Sequence, residues 1–98
     1  MTTLNTAQCR YLRAQAHPLH PVVMIGDAGL TDAVIREIDL SLKAHELIKI
    51  RVLGDDRAAR VAMLDRICTD LNAAPVQHIG KLLLVYRPGE KPKLSLPK

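Results

Sequence analysis

Helix-type and strand-type periodicity alternate along this chain, and no other feature restricts its fold so strongly. Residues 4–16 read as a first helix, and "VVMI" (Val22–Ile25), β-branched and apolar, reads as a short buried strand. From Thr31 to about Ala44, Val34, Ile35, Ile38 and Leu42 recur at helical spacing and make one apolar face. "LIKIRVL" (Leu47–Leu53) alternates, with Ile48, Ile50 and Val52 on one face and Leu47, Lys49 and Arg51 on the other. A third helix follows, opened by Asp55 or Asp56 and running to about Asn72, with an expected buried stripe of Val61, Leu64, Ile67, Cys68 and Leu71. Pro75 then opens "VQHI", the two-residue turn Gly80-Lys81 follows, and "LLLVYR" returns as the second arm of a hairpin. The order is αβαβαββ. Strands separated by helices predict right-handed crossovers and a parallel core, with the last strand antiparallel to its neighbour. The expected fold is a compact α/β sandwich with a mixed four-stranded sheet.

Local signals agree with these elements. Asn5 and Gln8 have the spacing of a capping box, and Leu4 with Cys9 fits its flanking hydrophobic staple. "HPLHP" ends the first helix, because proline disfavours helical geometry in the residue before it. Thr31 suits an N-cap, with Asp32 well placed in the first turn and Leu30 and Ile35 as staple.

Ninety-eight residues suit one domain. We assign it to residues 1–87, followed by a basic, proline-containing tail over 88–98. The formal charge of +4 is concentrated: Lys81, Arg87, Lys91, Lys93 and Lys98 face Glu90 alone, whereas residues 1–80 balance. A localised cationic segment points to a polyanionic partner such as nucleic acid, or to a solubilising tail. Cys9 and Cys68 have neither metal-site spacing nor the number for a disulfide framework, so both are expected reduced in a cytoplasmic protein. The N-terminus lacks the apolar region of a secretory signal, and the longest apolar run, "LLLVY", is strand-sized rather than membrane-spanning.

Several chemistries find no support. Gly26 and Gly29 supply only two of the three glycines of a dinucleotide fingerprint, and Gly80-Lys81 is followed by Leu82, not by the Ser or Thr of a P-loop. His17, His20, His45 and His78 lack zinc-ligand spacing. No nucleophile accompanies His17 or His78, so a small hydrolase is the weaker rival. No enzyme, cofactor or metal is expected. Tyr11 and Tyr86 are the only aromatic residues, too few for the base-stacking sheets of common RNA-binding modules. RNA, if bound, is expected mainly through its sugar-phosphate backbone. Tyr86 is expected in the core or at its rim, and His17 as a hydrogen-bond donor fixing its loop.

The turn Gly26-Asp27-Ala28-Gly29 admits two readings. In one, the glycines serve only a tight strand-to-helix turn, in which positive φ is permitted. Alternatively, glycines beside a helix N-terminus let a phosphate chain approach free backbone N–H groups, as in the G-x-x-G loop of KH modules. Asp27 opposes a phosphate by roughly 1 kcal/mol at contact in high dielectric.

Four segments in order resemble a known family, the CRM domain of chloroplast splicing factors and small bacterial YhbY-like proteins. These are "AHPLHPVVMIGDAGLTDAVIREID", "HELIKIRV", "IGKLLLVYRP" and "KLSLPK". The resemblance covers nearly the whole chain. It implies a fold similar to the C-terminal domain of translation initiation factor 3, with a KH-like G-x-x-G loop at a basic RNA-binding surface. It further implies association with ribosomal RNA in precursors of the large subunit. Asp27 stands where the family usually has a basic or neutral polar residue, and His20 where it often has Lys; both lower the local positive charge.

The residues expected at RNA are Gly26, Asp27, Ala28, Gly29, Leu30 and Thr31 of the turn, with phosphate oxygens received by the N–H groups near Gly29 to Asp32. Lys49 and Arg51 join them unless they merely form a solvated strand face. Arg10 and Arg13, three apart and so on one helix face, are carried as further phosphate contacts. Lys81, Arg87, Lys91, Lys93 and Lys98 extend the footprint, and His20, protonated beside RNA, would raise affinity in mild acid. The expected protein is a monomeric, non-enzymatic binder of structured ribosomal RNA. The main rival is a protein-interaction module docking on a ribosomal protein or assembly factor.

Overall fold

The computed structural model describes residues 3–97; Lys98 lies outside them. The elements are α1 (Thr6–Ala16), β1 (Val23–Ile25), α2 (Asp32–His45), β2 (Leu47–Val52), α3 (Arg57–Leu71), β3 (Ala74–Ile79) and β4 (Leu82–Tyr86). The αβαβαββ order and the mixed four-stranded sheet agree with the sequence reading.

The sheet order is β1-β2-β4-β3. β1 and β2 are parallel, while β4 runs antiparallel to both β2 and β3. The expected parallel core is thus a single pair, because β4 inserts between β2 and β3. The cause is burial. Leu83, Leu84, Val85 and Tyr86 are all buried, and a strand apolar on both faces is best covered at the centre of a sheet. β3 is left at an edge, where Pro75 costs no ladder bond and a bulge between Pro75 and Gln77 is tolerated.

Each sheet face has its own core. On one face, α2 and α3 cover Val23, Ile25, Ile48, Ile50, Val52, Leu83 and Val85. On the other, Leu12 and Ala16 of α1 pack on Leu47, Val76, Leu84 and Tyr86, joined by Leu94 and Leu96 from the chain's end. Tyr86 is therefore a core residue. Asn5 and Gln8 form the expected capping box, at 2.8 and 3.0 Å, and Thr31 and Asp56 cap α2 and α3. The expected stripe of α3 packs on the core at Leu64, Ile67, Cys68 and Leu71 and departs only at its start, where Val61 is exposed and Arg60 is buried. Arg60 Nε reaches His78 Nε2 at 3.2 Å and a guanidinium nitrogen reaches the Gly54 carbonyl at 3.4 Å, so the charge is hydrogen-bonded where an apolar side chain was expected.

After β4 the chain folds back. Glu46, at the C-cap of α2 with φ +64°, accepts the N–H groups of Gly89, Lys93 and Leu94 on its buried carboxylate, at 2.6, 2.8 and 3.3 Å. Its carbonyl accepts Arg87 N–H at 2.9 Å.

Candidate nucleic-acid interface

The turn between β1 and α2 uses its two glycines differently. Gly29 N–H donates to the Gly26 carbonyl at 3.0 Å, and Gly29 itself sits at φ +72°, a left-handed conformation that a side chain resists. Thr31 N–H then donates to the Gly29 carbonyl, and Thr31 Oγ1 accepts Val34 N–H at 3.2 Å. Gly29 is required by the turn. Gly26 is not: its φ lies outside the left-handed range, and a Cβ there would meet no atom within 4 Å. The bonds also narrow the donor set. Gly29 and Thr31 N–H groups are consumed, which leaves those of Leu30, Asp32 and Ala33 at the positive end of α2.

Topology brings two further segments to this end of the sheet. Because β1 and β2 are parallel and β4 is antiparallel to β2, the residues after β1, those after β2 and the Gly80-Lys81 turn share one rim. Leu53 N–H bonds the Ile25 carbonyl and Val52 N–H bonds the Lys81 carbonyl across it. The rim is not cationic. Asp27, Asp32, Asp55 and Asp56 lie along it with Arg57 and Lys81, and Lys81 Nζ is 3.2 Å from Asp55 Oδ1.

Positive charge gathers beside the rim instead, on the sheet face that carries α1. Arg51 is exposed there, in register with Met24 on one side and Leu82 on the other. Lys49 is half-buried on the same face, its Nζ donating to the Leu19 carbonyl at 2.9 Å. Arg13 of α1 and His17 at its C-cap close a small cleft with Lys49, Gln77, Ile79 and Leu82. Arg10 lies one turn further along the same side of α1. Neither α1 nor the strand positions of this face include an acidic residue. Lys49 and Arg51, expected beside the turn, thus share a face with Arg13 and Arg10, and Lys81 stands at the rim.

Two predicted residues fall elsewhere. Arg87 turns inward: its guanidinium is 2.8 Å from Asp39 Oδ1 and donates to the Asp39 and Leu71 carbonyls at 3.1 and 3.0 Å, with the side chain only 18% exposed. It joins α2 to the C-terminal end of α3, and this correction removes it from the surface. The Arg87 guanidinium holds the Asp39 carboxyl below its usual range. His20 lies at the opposite end of β1 from the turn. There it lines a separate, mainly apolar pocket of about 370 Å³ with Leu19, Val22, His45 and Leu47. Met24, His17 and Ile79 also lie on this face or at its edge, and the sequence did not single them out there, because nothing in linear spacing marks a face that one helix leaves half uncovered. Among the described residues, no group of three or more His, Cys, Asp or Glu side chains is placed to hold a metal. No described helix is long and apolar enough to cross a membrane.

Residues 4–87 match the CRS1/YhbY (CRM) domain pattern. The chain belongs to the CRM domain family. An RNA-binding protein of Haemophilus influenzae is 47% identical over 98 residues, covering 100% of this chain and 99% of its relative. A Pseudomonas aeruginosa relative, with RNA-binding protein in its name, is 38% identical over 95% of this chain and 89% of its own. The solution structure of a Staphylococcus aureus protein, described as an RNA-binding candidate, superposes with a TM-score of 0.85 at 32% identity, over 97% of this chain and 100% of that one. The match extends over 99%, 89% and 100% of these three proteins' own lengths.

Proposed function

We propose that this CRM protein is a non-enzymatic RNA-binding protein. RNA lies along the rim formed by Gly26–Thr31 and continues onto the cationic face of Arg51, Lys49 and Arg13. Its target is structured ribosomal RNA in large-subunit precursors, whose assembly it assists in the cytoplasm. The relatives named for RNA binding support the ligand class. The observation that carries the site is Gly26. Neither backbone conformation nor packing requires a glycine there, so a side chain added at this corner would obstruct only something approaching from outside the fold. A ribose-phosphate strand passing over the corner would meet the remaining N–H groups of α2, with Arg51 alongside.

The test is Gly26→Val, measured against a ribosomal RNA fragment in a gel shift. The variant should keep its melting temperature and lose about tenfold in affinity, roughly 1.4 kcal/mol. Undiminished binding would make the corner a turn only. If ribosomal RNA free of protein is not bound at all, the domain instead docks on a protein of the particle.

A further inference from the structure

The sheet face beside α1 is only half covered. α1 spans 11 residues, and its Leu12 and Ala16 rest on Leu47, Leu84 and Tyr86, which lie in two successive cross-strand rows, Leu47–Tyr86 and Lys49–Leu84–Gln77. The next row towards the rim, Met24–Arg51–Leu82–Ile79, carries no helix, and the four residues are paired side by side in register. At strand spacing the row is about 14 Å long. Its ends are apolar and open, with Met24 55% and Ile79 51% exposed. Arg51 at its centre is exposed and makes no ion pair or hydrogen bond within the described structure. The border towards α1 is cationic, from Lys49 and Arg13, and the face itself has no acidic position, while Lys81 at the rim is paired with Asp55.

Backbone phosphates alone would need the charges but not the apolar floor. A paired helix would not fill it, because stacked bases are hidden. An unpaired strand presents both chemistries, phosphates for the border and base faces for the floor. We propose that this row is the contact surface for unstacked nucleobases of a single-stranded RNA segment, with the planar Arg51 guanidinium lying against a base and Met24 and Ile79 packing beside it. Arginine planes serve as stacking partners in RNA recognition, and a thioether packs well against an aromatic ring. A chain with two tyrosines, both outside this row, thereby reads bases without an aromatic platform. The inference rests on the RNA-binding reading above and adds to it a ligand form: unpaired, with bases exposed.

The experiment compares an oligouridylate of about a dozen nucleotides with a fully paired RNA hairpin of similar length, titrated against the full chain at several salt concentrations. The double variant Met24→Ser/Ile79→Ser changes exposed side chains only. It should lose about tenfold on the unpaired probe, little on the paired one, and keep its salt slope, since no charge is removed. Arg51→Lys, which keeps the charge and loses the plane, should weaken the unpaired probe severalfold with the same slope. Unpaired and paired probes bound equally, with both variants like wild type, would overturn the base contact while leaving phosphate binding intact. Normal RNA affinity in the double variant, with loss of binding to an acidic protein partner, would likewise overturn it and assign the row to that partner. Binding of neither RNA would defeat the RNA reading itself.

Discussion

Gly26 and Gly29 are three residues apart and identical in sequence, yet they answer to different forces. Gly29→Ala should lower stability by about 1 kcal/mol, because Ala at φ +72° is strained. Gly26→Ala should leave stability unchanged, or raise it by up to about 1 kcal/mol through the unfolded chain. Urea denaturation of the two variants checks the contrast. The spacing was legible; the division of labour was not, since φ is a property of the folded turn. Cys68 was legible as a buried thiol. Burial pushes its pKa up to about 11, with Asp65 adding to the shift. At neutral pH an alkylating reagent should therefore label half-exposed Cys9 first and reach Cys68 only on unfolding, which mass spectrometry after timed labelling will show.

At the scale of elements, the folded-back end depends on Glu46. Burial raises its pKa, but the N–H groups of Gly89, Lys93 and Leu94 and the charge of Lys93 outweigh that, and the net direction is down. A carboxyl with a depressed folded pKa contributes stability above its unfolded value, about 4.3, and loses that contribution as pH falls through the folded one. Asp39, held down by Arg87, acts in the same sense. Stability should therefore decline on acidification through and below pH ~4, and less steeply in Glu46→Gln. That variant would place amide hydrogens against N–H donors and should cost about 2 kcal/mol at neutral pH. Thermal melts from pH 3 to 7 compare the two. Gly89 fits the same account: a Cβ there would stand 2.9 Å from Glu46 Oε2. Residues 88–97 are consequently a poor segment to delete when asking about RNA, because deletion would uncover Tyr86 and Leu12. The sequence showed three prolines and a run of cations; it could not show that a glutamate forty residues earlier gathers the backbone. Helix boundaries and caps were readable because they are local. Insertion of β4 and burial of Arg60 were not, since both depend on partners brought together by the whole sheet.

Across the whole molecule, the excess of charge and the proposed binding surface lie in different parts of the chain. The formal excess lies after residue 80, but Arg87 is committed to Asp39, and Lys93 Nζ donates to the Ala44 carbonyl. The cations free to meet phosphates include Arg10, Arg13 and Arg51, from residues 1–80, whose charges balance to zero. The charge count therefore indicated a polyanionic partner for a reason the fold only partly supports. A few phosphate contacts should give log affinity against log salt a slope of about −2 to −4, at roughly −0.7 to −0.9 per contact. Removing Arg13 should make the slope about one contact shallower, whereas removing Lys91 should leave it nearly unchanged.

The most direct measurement is amide and side-chain NMR shift mapping of the full chain titrated with a ribosomal RNA fragment. Perturbations should concentrate at residues 26–33, Met24, Arg51 and Arg13. Shifts confined to the pocket of His20 and His45, or to the segment after Tyr86, with the Gly26 corner silent, would contradict the account.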